Sequence, residues 1–377
     1  MRSVKILIIG QPIVYRGAGF IKYLTRKNKE MDNFSSVIRH GFYVDIFSWN
    51  KRIAQPIGIM KVYLVDGLKI LFTLIRKVMC YDVIIAPQYP SLVEFFSALV
   101  GSKVKNNILI IRETHWYWPQ TTISRLLWPL YFIAIKHVDG LIVPGKKSLL
   151  FWRRLLKNKQ VHLVHFYGLE ALTESVDERL CRKFLNKLKL QNVERPVFLY
   201  LGRMIYKKAP DIILKAFKKF VDKYGCGTLI LAGTGDMLPN LIELAQKLGI
   251  SSKVRFLGAI REKYKPCLYK YADVFIYVPR YQKIPEEWGI APLEALCQGL
   301  PSIVSDIVGS IPDLKVGILV VEQNKDEPLA EKMAEALSKK SELIKKADQI
   351  CKELVNPINV YAEFLRALRS IISDKNY

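Results

Sequence analysis

The chain has 377 residues, of which 50% are hydrophobic and 24% charged, with 58 Lys and Arg against 34 Asp and Glu. That length exceeds one ordinary domain of roughly 100–200 residues and points to two, while the apolar content excludes wholesale disorder. The positive charge is uneven: residues 1–170 hold 25 Lys and Arg against 9 Asp and Glu, a net +16, whereas 171–377 hold 33 against 25, a net +8. A basic N-terminal half favours an anionic partner: nucleic acid, an acidic membrane surface or a polyanionic substrate. No apolar run reaches the roughly 18 residues of a spanning helix; the longest, Leu126–Ile135, stops short and carries Pro129. The first apolar run ends at Gly10 and is too short for a signal-peptide core, so it reads as a strand. Six cysteines without a CxxC pair or a Cys/His cluster argue against a disulfide scaffold and a zinc site, and fit a reducing compartment.

Short apolar strands alternate with helical stretches along the chain. Strands are predicted at Val4–Ile9, Phe42–Phe47, Asp82–Ala86, Ile108–Arg112, Gly140–Val143 and Val161–Val164, with helices near 19–29, 61–79, 91–100, 123–137 and 146–157. Residues 171–195 read as a linker containing a short helix. Strands follow at Val197–Leu201, Thr228–Ala232, Val254–Leu257, Val274–Val278, Ser302–Ser305 and Gly317–Val320, with helices near 210–222, 239–248, 291–298 and 328–345, and the tail after Pro357 is one amphipathic helix. Unalternating apolar strands interleaved with helices predict parallel sheets covered on both faces. The pattern is twice what one doubly wound sheet needs. It gives an N-terminal Rossmann-like domain over 1–170, with helix 357–377 packed back on it, and a C-terminal one over 196–356. Two such domains facing across a cleft would bind ligands at the carboxyl ends of their strands.

Chemistry-bearing residues gather at those strand ends. After Leu201, Gly202 turns the chain, Pro210 opens a helix, and Arg203, Lys207 and Lys208 lie between them, where cations beside a helix N-terminus suit a phosphate or diphosphate; solvated surface charge is the plain alternative. In VPRYQKIPEEWGIAPLEALCQGLP (278–301), Glu286 lies in a loop, and Gly289, Ile290 and Ala291 open a helix whose amides could hold a phosphate. Glu294, in that helix's first turn, either serves a ligand or merely offsets the dipole, and Glu286 could be half of a solvated Glu pair. Gly17 and Gly19 follow the first strand and would admit a phosphate or sugar, or simply give a flexible loop. His115 follows a buried strand in RETHWYWP, as a ligand contact or a structural histidine, and its Trp-Tyr-Trp neighbours could stack on a sugar or pack.

The pairing of LGRMIYKKAPDIILKAF (201–217) with Glu286-x7-Glu294 and ALCQGLPSIVSD, together with LILAGTGDM, VRFLGAI and YKYADVFIYVP, resembles the family-4 retaining glycosyltransferases of the GT-B fold, over most of 196–322. The resemblance implies that Arg203 and Lys208 bind a donor diphosphate, Glu294 the ribose and Glu286 the donor sugar, with His115 near the reacting centre. The sequence departs from the family pattern at Ala209, usually Gly, at Glu287-Trp288, and in the sparser glycine loop at 17–19. Asp-x-Asp, which holds a metal in GT-A enzymes, occurs nowhere, so the expectation is metal-independent transfer with no cofactor beyond the nucleotide-sugar co-substrate. A catalytically silent nucleotide-sugar-binding subunit and a basic nucleic-acid-binding protein are the rivals; the latter leaves the Glu pair and the doubled α/β pattern unexplained, so no nucleic-acid partner is expected.

Lys146–Lys159 carries six basic residues and no acid. On a helix, Trp152 and three leucines share one face, and Arg153, Arg154 and Lys157, with Lys146 and Lys147 at its start, supply charge. This predicts either an interfacial membrane helix or ordinary sheet cover. The membrane alternative implies a glycan, polyprenyl-linked or glycolipid acceptor and a cytoplasmic protein attached peripherally to the inner face of the membrane.

Overall fold

The computed structural model describes residues 4–9, 42–47, 62–63, 75–87, 92–118, 121–165, 177–282 and 285–375. The chain divides into two compact units, one formed by Met1–Leu169 with Pro357–Tyr377 and the other by Glu170–Asn356.

The first unit is built on a parallel sheet of seven strands, in the order β3-β2-β1-β4-β5-β6-β7. Its strands are β1 (Val4–Ile9), β2 (Phe42–Phe47), β3 (Val62–Tyr63), β4 (Val83–Pro87), β5 (Ile108–Arg112), β6 (Gly140–Val143) and β7 (Gln160–Leu163). The described helices are α1 (Leu92–Lys105), α2 (Thr122–Ile135) and α3 (Lys146–Leu155). Strands β4 to β6 are buried almost throughout, as expected for strands covered on both faces. Aromatic side chains from the helices, Phe95, Trp128, Tyr131 and Trp152, fill the layer against them. The C-terminal helix (Pro357–Asp374) belongs to this unit: Ser370 bonds Gln160, Lys375 reaches Asp139, and Ile371 lies where a side chain on Gly140 would collide.

The second unit holds a six-stranded parallel sheet, ordered β10-β9-β8-β11-β12-β13. Its strands are β8 (Val197–Leu201), β9 (Thr228–Ala232), β10 (Val254–Gly258), β11 (Val274–Tyr277), β12 (Ser302–Ser305) and β13 (Ile318–Val321). Around it lie α4 (Glu178–Lys187), α5 (Pro210–Tyr224), α6 (Leu238–Lys247), α7 (Lys265–Tyr271), α8 (Ile290–Cys297), α9 (Ile311–Leu314), α10 (Asp326–Ser338) and α11 (Lys340–Leu354). The sheet order reverses between β8 and β11, the switch point at which open α/β sheets offer a crevice beyond their carboxyl ends.

Several expectations need correction. The helix expected over 61–79 instead contains β3, and among its described residues only 75–78 are helical. The single helix expected over 328–345 is two, broken at Lys339. The 171–195 stretch clusters with the second unit: Phe184 of α4 stacks on Tyr264 at 4.4 Å. The cysteines also depart from expectation. Cys181 is bonded to Cys267 and Cys297 to Cys351, while Cys80 and Cys226 are free. The partners lie 86 and 54 residues apart, so no local spacing announces them.

Candidate functional site

The switch point of the second unit is lined by cations. Gly202 leaves β8, and the Tyr200 hydroxyl donates to the Arg203 carbonyl at 2.6 Å, fixing the turn. Gly233 and Gly235, both at positive φ, let the loop after β9 lie directly against it. A Cβ on Gly233 would stand 1.9 Å from the Gly202 carbonyl oxygen, and one on Gly235 would stand 2.3 Å from that of Met204. A 3-10 turn (Tyr206–Lys208) follows, closed by Ala209 at φ +52°. That left-handed geometry favours glycine and accounts for the glycine the resembling family carries there.

Lys208 is far from a solvated surface lysine. Its side chain is 12% exposed, and its ammonium donates to the Glu286 carboxylate and to the Tyr277 hydroxyl, each at 2.7 Å. Lys207 Nζ lies 3.8 Å from the same carboxylate and donates to the Pro285 carbonyl. Burial lowers the Lys208 pKa, and the like charges of Lys207 and Arg203 add to that effect; Glu286 opposes them without cancelling them. Burial pushes the Glu286 carboxyl up, but Lys208, Lys207 and Tyr277 outweigh it and leave its pKa below the ordinary carboxylate value. The carboxylate faces two ammonium groups, whereas Lys208 faces one carboxylate and two cations. The cluster therefore keeps an excess of positive charge. The solvated-pair alternative for Glu286 fails, since its side chain is 17% exposed and ion-paired.

Helix α8 begins beside this cluster. Its N-cap is Gly289 (φ +77°), where a Cβ would come within 3.0 Å of the Tyr277 ring and of Val308. No side chain caps the helix and no acid lies in its first turn, so the Ile290 and Ala291 amides lack both a helical acceptor and a side-chain cap. Because Tyr277 touches both Lys208 and the Gly289 position, the buried ammonium and the helix N-terminus lie side by side. Two positive poles there suit an anion.

Glu294 is the fifth residue of α8, one residue further in than expected and just past the first turn, because the helix already starts at Ile290. Dipole compensation at the first turn is therefore not its role. Its carboxylate accepts from the Tyr269 hydroxyl at 2.8 Å, and burial together with that carboxylate raises the Tyr269 pKa well above the ordinary value.

In the first unit, His115 is buried at the end of β5. The Glu113 carboxylate, fully buried, lies 2.6 Å from His115 Nδ1, and the same oxygen accepts the backbone amides of Thr114 and His115. Its other oxygen accepts from the Tyr131 hydroxyl at 2.5 Å. Trp152 donates its indole N–H to the His115 carbonyl, and Ser148 bonds that of Thr114. A carboxylate on Nδ1 makes that nitrogen the protonated one and leaves Nε2 as the other face of the ring.

These contacts correct the interfacial reading of α3. Trp152 is 0% exposed and belongs to the core. Arg153 donates to the Val161 carbonyl and ties the helix to β7, and Lys147 lies over the Trp116 ring at 4.4 Å. Lys146, Arg154 and Lys157 are exposed. The apolar face of this helix is sheet cover, as the alternative held. Gly17 and Gly19 lie outside the described residues.

Sequence reasoning missed Glu113, Tyr277, Arg280, Gly233 and Gly235 as parts of these sites. Glu113 had a legible signal, since residues two apart in extended chain share a face and Glu113 precedes His115 by two. Arg280, 4% exposed, bonds Asp211 and Asn324, stacks on Tyr206 at 4.0 Å, and donates its backbone amide to the Lys207 carbonyl. These partners are long-range and left no local trace.

Residues 182–353 match the model of the family described as glycosyl transferases group 1. An uncharacterized glycosyltransferase of Methanocaldococcus jannaschii is 34% identical over 146 residues, covering 38% of this chain and 36% of that protein. The alpha-monoglucosyldiacylglycerol synthase of Streptococcus pneumoniae is 32% identical over 173 residues, covering 44% of this chain and 37% of that one. The chain thus spans less than half the length of the curated relatives it matches. Among solved structures, Anabaena HepE in complex with UDP superposes with a TM-score of 0.74 at 14% identity, covering 97% of this chain and all of that one. Sucrose-phosphate synthase of Thermosynechococcus elongatus gives 0.69 at 16%, covering 98% and 100%. These likenesses establish the fold, GT-B with two Rossmann-like domains.

Proposed function

We propose, from the match of residues 182–353 to the glycosyl transferases group 1 model, that this chain transfers a sugar from a nucleotide-diphosphate donor to an acceptor hydroxyl, with retention at the anomeric carbon. The observation that carries this reading is the buried Lys208 ammonium set beside the uncapped N-terminus of α8, with Arg203 and Lys207 around it. Negative charge grows on the diphosphate as the sugar departs, and preorganised cations and amides stabilise that charge most in the transition state. Glu286 orients the sugar and Glu294 the ribose. His115 contacts the sugar, with Glu113 holding its ring. The leaving phosphate assists deprotonation of the acceptor. The glycolipid product named for the pneumococcal relative supports a lipid-linked or glycolipid acceptor here, with the protein peripheral on the cytoplasmic face of the membrane. Turnover assays across UDP-, GDP- and ADP-sugars test the proposal. Nucleotide binding without transfer to any acceptor would favour a silent donor-binding subunit.

Two further outcomes follow from the same cations. Protein side chains and amides, rather than a divalent ion, hold the leaving group, so excess chelator leaves transfer largely intact; complete loss, restored by magnesium or manganese, would refute that assignment. Affinity for a nucleoside diphosphate also depends on pH. Lys208 loses its proton below the ordinary lysine value near 10.4, because its pKa is lowered. Binding therefore weakens as pH rises, earlier than an exposed lysine would require. In Lys208→Arg the charge persists, and the alkaline arm moves upward; an unmoved arm would assign the titration to another group.

A further inference from the structure

We propose that helix α2 is the surface by which this protein docks on an anionic lipid bilayer. Its inward face is core: Trp128, Tyr131, Ala134 and Ile135 are buried. Its outward face is apolar as well. Leu126 is 78% exposed, Leu130 55% and Ile133 58%, and Pro129 between them is exposed. These positions follow the i, i+3, i+4, i+7 rule and form one stripe. A soluble helix ordinarily turns polar residues outward. This one has none along the stripe, and its sequence contains no acid.

What covers the stripe is indicated by the charge around it. Arg125 and Lys136 flank it, both exposed. Between Thr121 and Lys159 there are eight Lys and Arg and a single acid, Asp139. That acid is engaged inside the unit by the Leu109 amide and Lys375. Trp118, 53% exposed, lies between α2 and α3, with ring contacts to Trp128 of α2 and Phe151 of α3. Next to Phe151, Leu150 is 68% exposed on the face that carries Lys146, Arg154 and Lys157. An apolar stripe edged by cations, with an indole at its margin, matches the headgroup boundary of an acidic membrane, where apolar insertion and electrostatic attraction act together. The headgroups of an acidic bilayer supply negative charge along the whole of this surface, so one occupant matches the stripe and its basic edge together. The basic helix α3 supplies charge to this surface; the insertion comes from α2.

This surface adds to the proposed lipid-linked acceptor but does not rest on the transfer chemistry, so vesicle binding and nucleoside diphosphate binding are read separately. The experiment is flotation with phosphatidylcholine vesicles, with and without 30% phosphatidylglycerol. The wild type is expected to float with the acidic vesicles only. Leu126→Ser, Leu130→Ser and Ile133→Ser combined should lower the partition coefficient at least tenfold and leave thermal melting and nucleoside diphosphate affinity unchanged. Arg125→Gln with Lys136→Gln should lower it about fivefold per charge at low salt, roughly 25-fold for the pair. Brominated lipid should quench the fluorescence that is lost in Trp118→Phe, a readout in the unaltered protein that holds even if the triple variant fails to fold. Wild-type flotation by the triple variant, no Trp118-dependent quenching, or a wild-type dimer that the triple variant converts to monomer would each overturn the proposal, the last by assigning the stripe to a second copy of this chain.

Discussion

Arg203→Ala is expected to lower transfer by roughly 10²–10³-fold, corresponding to about 3–4 kcal/mol of lost transition-state stabilisation, with little change in melting temperature. The side chain is exposed at the strand end, so its removal leaves no buried group without a partner. Lys208→Ala should cost as much in rate but also in stability. It strips the 2.7 Å partner from Glu286, whose side chain is 17% exposed, and leaves Lys207 at 3.8 Å as its nearest cation. Breaking one half of a largely buried pair costs about 3 kcal/mol, chiefly through the stranded charge. The double variant Lys208→Ala with Glu286→Gln separates the two effects: stability recovers and transfer does not. Recovery of both would make the pair structural and remove Lys208 from the diphosphate site.

Glu113→Ala should be among the most destabilising substitutions in the first unit, by about 3–5 kcal/mol. Two backbone amides, the His115 ring and the Tyr131 hydroxyl all lose their acceptor at a fully buried carboxylate. Glu113→Gln keeps the shape and folds, yet removes the charge that fixes the proton on Nδ1. Nitrogen chemical shifts of His115 should then move toward a mixture of tautomers, and transfer should fall by up to about 10²-fold, the scale of a misplaced contact group. Unchanged shifts and rate in Glu113→Gln would reduce the pair to packing.

The twelve strands read from the sequence all occur, each within one residue of its expected bounds. Buried parallel strands announce themselves as short apolar runs between turn residues, and nothing in their surroundings contradicts that local signal. The short strand β3 went unrecognised because two residues give no periodicity. At the site, Arg203, Lys208 and Gly289 were legible because a strand–glycine turn and a helix start are local events. The pairing of Lys208 with Glu286, and that of Asp211 with Arg280, join residues 78 and 69 positions apart. Only the assembled sheet brings them together. Trp152 left both readings of its helix open for a related reason: a wheel identifies an apolar face but not whether sheet or lipid covers it. In α3 the covered face was the sheet's, and the uncommitted apolar surface lay on α2.

The crossing of the loops after β8 and β9 sets the mutational freedom of the cation cluster. At Gly233 and Gly235 two stretches of main chain touch with no room for even a methyl group. Neither glycine offers a side chain to a ligand, yet any residue larger than hydrogen would displace the turn that carries Arg203. Inheritance of the cluster is therefore tied to two positions about thirty residues downstream whose only contribution is the absence of an atom. The chain can explore new residues at 203–208 only while that crowding is preserved.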